Sequence, residues 1–184
     1  PAYSLSSAGG VSHIYLHDRD VSGSGTFDTS GNTSTRLVDV SSATPSTVAG
    51  DASAIQAAIS SDGTMIAFAS RATNLAAAAT TANRQHVYIR PTANVGTATS
   101  GIKNIDVVTA TAAEGNGDGQ TPSLSSTGAY VAFASVASNL VAADTNGVSD
   151  IFVYDTTQPV ATPVVRRMSV TNAGAEGTDP TAAG

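Results

Sequence analysis

The chain repeats itself at an interval of 65 residues, and this repeat restricts its fold more than any other feature. The segment 60–70 reads SSDGTMIAFAS and matches the segment 125–135, which reads SSTGAYVAFAS. An Asn-Leu pair follows both segments, as Asn74-Leu75 and Asn139-Leu140. A period of this size is typical of folds that stack one supersecondary unit several times. The single domain 1–184 then divides into three modules, at about 1–56, 57–121 and 122–184.

Two shorter strings occur once in every module. The first lies at 13–16, 86–89 and 150–153, and the second at 37–40, 104–107 and 167–170. Both are rich in β-branched and aromatic residues and are bounded by Gly, Asp, Asn or Ser, which is typical of strands separated by turns. An alanine run at 76–79 is too short to form a helix unaided. The sequence therefore predicts an all-β protein with four strands per module, at about 57–60, 65–70, 86–90 and 104–109 in the second.

A four-stranded antiparallel unit repeated at regular spacing is typical of a β-propeller blade. A β-sandwich is the alternative, but it predicts evenly spaced strands and not the same side-chain string 65 residues apart. Propellers close with about four to eight blades, and three modules are too few. The ring is then incomplete: the chain is a fragment of a longer protein, or neighbouring copies complete it, or the arrangement stays open.

The third module carries an almost unbroken family motif. It reads PSLSSTG at 122–128, VAFAS at 131–135, Asn139-Leu140, and DTNGVSDIFV at 144–153. These strings resemble the WD40-like repeat of TolB-type β-propellers, the PD40 repeat, with Thr127 in place of the usual Asp. The first module keeps only the string at 4–9 before 13–16, which predicts that its second strand is missing. The resemblance implies a propeller that binds or scaffolds, at bacterial surfaces, in the periplasm or beside a catalytic domain.

An acidic loop at 144–150 is the candidate metal site. Calcium takes six to eight oxygen ligands, and this loop offers the side chains of Asp144, Asn146 and Asp150 and the carbonyl of Val148. The alternative is an Asx turn, in which these side chains bond their own backbone and hold no ion. In the second module the matching loop, 80–86, has no acidic residue. We expect any calcium ion here to be structural.

The remaining titratable residues give weaker predictions. A second acidic turn at 114–119 is expected to be a flexible loop between blades, and metal binding is the alternative. On a strand, His13 and His17 lie about 13 Å apart, too far to share a metal. We therefore expect these two residues and His86 to lie at the surface or at strand ends.

Composition and missing motifs exclude several classes of function. The formal net charge is −6 and Lys103 is the single lysine, so a nucleic-acid partner is not expected. No apolar stretch is long enough for membrane insertion as a helix. No serine-hydrolase elbow, zinc-protease motif or nucleotide-binding glycine loop is present, so we expect no enzyme activity.

The leading hypothesis is a non-enzymatic extracellular or cell-surface module with a structural or adhesive role. Charged residues make up only 12% of the chain, and Ser, Thr, Asn and Gly supply its polar surface. Unpaired terminal strands would allow self-association. The alternatives are a periplasmic TolB-like propeller that docks a protein partner, and the non-catalytic propeller of a larger peptidase or glycan-degrading enzyme.

Overall fold

The computed structural model describes residues 2–6, 10–42, 48–76, 80–95, 101–109, 111–159 and 163–177. It is 38% strand and 2% helical, which confirms the all-β prediction. A short 3-10 helix lies at Thr92–Asn94. The described strands are β1 (Ala2–Ser6), β2 (Ser12–Asp18), β3 (Ser34–Leu37), β4 (Ala54–Ile59), β5 (Met65–Ser70), β6 (His86–Pro91), β7 (Lys103–Asn104), β8 (Gly119–Leu124), β9 (Tyr130–Ser135), β10 (Asp150–Asp155) and β11 (Val165–Arg167).

The strands form three antiparallel sheets that follow chain order. Sheet 1 contains β1 to β3, sheet 2 contains β4 to β7, and sheet 3 contains β8 to β11. Strand β4 packs against β1 and β2, and β8 packs against β4, β5 and β6. The described sheets therefore stack in sequence and form no closed barrel. Four strands per module are confirmed for sheets 2 and 3.

Sheet 1 corrects the predicted alignment of the first module. Tyr3 lies opposite Tyr15 in the pairing of β1 with β2. The same register joins Phe68 to Tyr88 in sheet 2, where β5 is the second strand. Strand β1 therefore holds the second-strand position, and the prediction that the second strand is missing was wrong. Among the described residues, sheet 1 lacks a counterpart of the first strands β4 and β8.

Two apolar clusters fill the spaces between the sheets. One includes Ile14, Phe68 and Leu75 and lies between sheets 1 and 2. The other lies between sheets 2 and 3 and includes Ala67, where a small side chain lets the sheets approach. A cross-strand aromatic pair marks each cluster, with ring centroids 5.6 Å apart for Phe68 and Tyr88 and 5.8 Å apart for Phe133 and Phe152. The alternation along β5 thus sends successive side chains to opposite neighbours.

The repeat extends to backbone irregularities. Strands β4 and β8 each contain a bulge, with Gln56 at φ +55° and Thr121 at φ +50°. Non-glycine residues pay a steric cost of about 1–2 kcal/mol in this left-handed region. The two bulges meet, because the Thr121 N–H donates a hydrogen bond of 2.9 Å to the Gln56 side-chain oxygen. This bond links the first strands of sheets 2 and 3.

The hairpin turns after the first strands use glycine in the left-handed conformation. Gly63 has φ +72° and Gly128 has φ +70°, and each N–H donates to the carbonyl of the serine three residues before it. A Cβ at Gly63 would meet no atom within 4 Å, whereas a Cβ at Gly128 would lie 2.6 Å from the Met65 Cβ. The second turn therefore also packs against the preceding sheet.

We predict that Gly63→Ala lowers the free energy of unfolding by about 1 kcal/mol, the cost of a left-handed backbone with a side chain. Gly128→Ala should cost about 1–3 kcal/mol more, because its methyl group also overpacks against Met65. Urea unfolding of both variants measures the difference. Equal losses in the two variants would contradict the contact between this turn and sheet 2.

Candidate functional site

Sheets 1 and 2 each contain a buried pair of a histidine, on β2 or β6, and an aspartate, just after β3 or β7. The Nδ1 atom of His13 lies 2.7 Å from Asp39, and that of His86 lies 2.9 Å from Asp106. Each aspartate also accepts the N–H of the residue after the histidine, at 2.8 Å for Ile14 and 3.1 Å for Val87. All four members of the pairs are buried. His86 begins β6 and His13 is the second residue of β2, which agrees with the expected placement at strand ends. A surface location was the wrong alternative, because both histidines pair with carboxylates that are distant in sequence.

Sheet 3 has different residues at both positions of this pair. Asp150 occupies the position of the histidine, and Ser169 occupies the position of the aspartate. The Ser169 hydroxyl donates to the Asp150 carboxylate and accepts the Ile151 N–H at 3.0 Å. The backbone contact is retained, but the buried carboxylate no longer has a histidine beside it.

Arg167 supplies the missing positive charge at the predicted calcium loop. Its Nη1 atom lies 3.2 Å from Asp144, 3.7 Å from Asp150 and 2.8 Å from Glu176. Asp144, Asp150 and the Arg167 side chain are at most 9% exposed. The structure therefore brings the predicted acids together around a guanidinium group of the same chain.

The other two predicted ligands hold the loop together. The Asn146 amide donates to the Asp150 carboxylate and to the Gly177 carbonyl, both at 3.0 Å. The Val148 N–H donates to the Asn146 side-chain oxygen at 3.2 Å, which is the bond of an Asx turn. The observed contact of Val148 is therefore made by its N–H group, whereas the calcium hypothesis uses its carbonyl group.

The electrostatics of the cluster follow from burial and from Arg167. Burial raises the pKa of Asp144, and repulsion from Asp150 raises it further. Hydrogen bonds from Arg167 and from the Thr145 N–H lower the pKa of Glu176. The oxygen donors suit calcium in kind, but the guanidinium already balances them. A calcium ion at Asp144, Asn146, Val148 and Asp150 stays a prediction, and it would have to displace Arg167.

Glu114 is a structural residue that the sequence did not reveal. Its carboxylate accepts the Thr81 N–H at 3.0 Å and the Thr81 hydroxyl. It also lies 3.5 Å from Arg84 and 3.3 Å from His86 Nε2. Glu176 holds Thr145 in the same way, at 2.5 Å from its N–H. The signal for this role is the Glu-Gly step that recurs at 114–115 and 176–177, after the fourth-strand strings.

Comparison with protein-family models and with curated proteins finds no match for this chain. The PD40 resemblance therefore stays a prediction. Within the described ranges, no helix is long and apolar enough to span a membrane. The same part of the chain contains no group of three or more His, Asp or Glu side chains in a metal-binding arrangement.

We predict that Arg167→Met lowers the free energy of unfolding at pH 7 by about 2–3 kcal/mol, because it leaves the buried carboxylates without a counter-charge. The loss should shrink toward pH 4, where Asp144, whose pKa is raised by burial, becomes protonated. Arg166→Met is the matched control, since Arg166 is exposed. Equal losses for the two variants would contradict the role of Arg167 as the counter-ion of this loop.

The same pair of proteins tests the calcium hypothesis. An ion that binds the acidic loop replaces the Arg167 charge, so calcium should raise the melting temperature of Arg167→Met more than that of the wild type. Thermal melts with calcium and with a chelator measure both shifts. Unchanged melting temperatures in both proteins would contradict calcium at this loop.

A pH prediction follows from Asp106, because burial raises its pKa from 3.8 to about 6. Its contribution to stability is fully present below its unfolded pKa and is lost as the pH rises through 6. The free energy of unfolding of the wild type, relative to Asp106→Asn, should fall by up to about 3 kcal/mol between pH 3 and pH 7. Urea unfolding at each pH measures this difference.

Asp62 provides a control of opposite sign. Hydrogen bonds from Ser60 and Thr64 lower its pKa. The stability of the wild type relative to Asp62→Asn should therefore rise as the pH increases from 3 to 5. Parallel pH curves for the wild type and Asp106→Asn would contradict the raised pKa of Asp106.

Proposed function

We propose that this chain is a non-enzymatic, extracellular or cell-surface structural module that associates head to tail with copies of itself. In this proposal the sheets are β-propeller-type blades, and neighbouring copies continue the stack that a single chain leaves open. The outer face of sheet 3 is the observation that carries the proposal.

The outer faces of the three sheets can be compared at three equivalent positions, one on β2, β6 or β10 and two just after β3, β7 or β11. In sheets 1 and 2 the following sheet covers them, and every side chain is at most 7% exposed. In sheet 3 nothing in the described part of the chain covers them, and they are 46%, 56% and 42% exposed. The covered residues are Ile14, Val38 and Val40 in sheet 1 and Val87, Ile105 and Val107 in sheet 2, and their counterparts in sheet 3 are Ile151, Met168 and Val170.

The opposite end of the stack offers a complementary surface. Tyr88 and Phe152 are fully buried on the faces that sheets 2 and 3 turn toward the preceding sheet. Their counterpart in sheet 1 is Tyr15, which is half-buried. Sheet 1 of one copy can therefore cover sheet 3 of another as sheet 3 covers sheet 2. Such a contact joins two different surfaces, and it produces a filament when the rotation between copies does not close.

The size and chemistry of the face support association. Fully burying one Val, Ile or Met side chain is worth about 1.5–3 kcal/mol, so three half-exposed side chains offer about 3 kcal/mol before the main-chain contacts are counted. The low charge and hydroxyl-rich surface support an extracellular or cell-surface location. A protein partner or a further sheet of a longer chain could cover the same face. That arrangement corresponds to the periplasmic TolB-like alternative or to the non-catalytic propeller of a larger enzyme.

Light scattering of the purified protein tests the proposal. We predict assemblies far heavier than the 18.2 kDa subunit. The double variant Ile151→Lys with Met168→Glu places charge on the outer face of sheet 3 at constant net charge, and it should be monomeric.

The control variant is Val21→Lys with Val48→Glu. These valines are 56% and 55% exposed but lie outside the face, so their replacement should leave the assembly intact. A wild-type protein that stays monomeric at every concentration would contradict self-association and favour the partner-bound or multidomain alternatives. Equal loss of assembly in both double variants would contradict the role of this face.

A further inference from the structure

We propose that this protein binds an acidic polysaccharide along a row of three cations, Arg36, Lys103 and Arg166, one on the fourth strand of each sheet. The ligand is a polymer with widely spaced carboxylates, such as one per disaccharide. The inference goes beyond the proposed function and does not depend on it, because all three cations belong to a single chain.

The three cations occupy one recurring position. Each lies directly opposite the fourth residue of the third-strand string, as Leu16 with Arg36, Ile89 with Lys103 and Val153 with Arg166. In sheets 1 and 2 that opposite residue is buried against the following sheet. Directly paired residues of an antiparallel ladder share a face, so all three cations lie on the outer face of their sheet. Stacked sheets lie about 10 Å apart, and the row therefore repeats at an interval of at least about this size.

The row contains the cations that have no carboxylate partner. Of the eight Lys and Arg residues, four form ion pairs and a fifth is fully buried. The paired residues are Arg19, Arg71, Arg84 and Arg167, and the buried one is Arg90. Within the described ranges, Arg36, Lys103 and Arg166 form no ion pair, and each is half-buried or exposed. Every module thus places a cation without an ion pair at this position.

A hollow beside Arg36 has room for a sugar ring. It has a volume of about 430 Å³, and its lining includes the apolar side chains of Leu16 and Ile59. The Arg36 Nη1 atom donates to the Val95 carbonyl at 3.1 Å, and its buried Nε atom has no hydrogen-bond partner in the described part of the chain. Apolar side chains suit the C–H face of a sugar ring, and a guanidinium group suits a carboxylate.

A second hollow, beside Arg166, has the same construction. It has a volume of about 340 Å³ and lies on the outer face of sheet 3, where Tyr130 and Met168 supply apolar surface. Tyr130 is 51% exposed, so its ring can stack against a sugar. The first hollow stays open although sheet 2 packs on sheet 1, so head-to-tail association is compatible with an open second hollow. Lys103, in the middle sheet, adds a charge between the two.

The aspartate in each hollow is held by its own turn. Asp18 and Asp155 are equivalent, and each accepts the N–H of the residue two positions later, at 3.1 Å for Asp20 and 2.9 Å for Thr157. Hydrogen bonds from Thr157 and, more weakly, the charge of Arg166 lower the pKa of Asp155. Since neither aspartate forms an ion pair with the cation of its hollow, the positive charge is available to a ligand carboxylate.

Charge spacing selects the class of polyanion. B-DNA carries one charge per about 1.7 Å of helix axis, and a protein of net charge −6 would leave most of these charges unneutralised. A polysaccharide with one carboxylate per disaccharide has charges several times farther apart, which is closer to the interval between stacked sheets. The apolar surface beside Arg36 and Arg166 also suits a sugar ring better than a phosphate group.

Binding of fluorescently labelled hyaluronan fragments tests the proposal, because this polymer has one carboxylate per disaccharide. Fluorescence anisotropy at 0.1 M salt, where the screening length is about 10 Å, measures the dissociation constant per subunit. The test variant is Lys103→Gln with Arg166→Gln. The control variant, Arg71→Gln with Arg84→Gln, removes the same charge from two ion-paired residues outside the row. Circular dichroism and light scattering check both variants, and dextran and double-stranded DNA serve as the neutral and the densely charged polymer.

We expect saturable binding of hyaluronan by the wild type, a dissociation constant about tenfold higher in the test variant, and little change in the control. Equal weakening in the two variants would mean that only net charge matters, and the row would be wrong. Absence of hyaluronan binding, equal binding of dextran, or tighter binding of DNA would each overturn the acidic polysaccharide. A wild type that binds hyaluronan but stays monomeric would contradict the proposed self-association and leave this inference standing.

Discussion

Sheet 2 has apolar side chains on both faces, and another sheet covers each of these faces. The period-two alternation of β5 sends Ile66 and Phe68 to one neighbour and Ala67 to the other, so sheet 2 belongs to two cores at once. The stack is therefore held together by nearest-neighbour contacts. A sheet that packs on its neighbour has a second apolar face, which stays exposed to water unless a further sheet packs on it.

Polar residues fix the edges of this stack where the cores end. Sheets 1 and 2 each contain a buried polar pair and sheet 3 a partly buried one, and in all three a backbone N–H bonds to the second member of the pair. The partners differ, since sheets 1 and 2 use His–Asp and sheet 3 uses Asp–Ser with Arg167. Exchanging histidine for aspartate leaves a buried carboxylate that needs a cation, and removing one partner of such a pair costs several kcal/mol. Arg167 in sheet 3 therefore supplies the positive charge that the aspartate at the histidine position requires.

The sequence predicted the strands best where alternation was regular. The expected strands 65–70 and 86–90 agree with Met65–Ser70 and His86–Pro91. The pattern predicts a first strand at 57–60, whereas the strand is Ala54–Ile59, because the bulge at Gln56 interrupts the alternation. The pattern predicts a fourth strand at 104–109, whereas the strand is Lys103–Asn104 and Val107 forms only an isolated bridge beyond it.

The candidate site was predicted in part for a similar reason. Asp144, Asn146 and Asp150 lie in one loop, so their spacing alone brought them together. Arg167 and Glu176 come from the fourth strand and the turn after it, and only the sheet register places them beside that loop. The first module was misaligned because Ser4-Leu5-Ser6 resembles the Ser123-Leu124-Ser125 string of a first strand. Which strand it forms is decided by its pairing with β2.

Sheet 3 differs from sheets 1 and 2 in its polar pair but keeps their apolar outer positions. Soluble, monomeric repeat proteins have capping repeats at their ends, and the outer face of each capping repeat is polar. Sheet 3 departs from its predecessors at the buried pair, where aspartate and serine replace histidine and aspartate. It keeps apolar residues at the three outer positions, at Ile151, Met168 and Val170. The outer face of sheet 3 therefore has the apolar composition of an inner face of the stack. This supports the proposal that another sheet covers it.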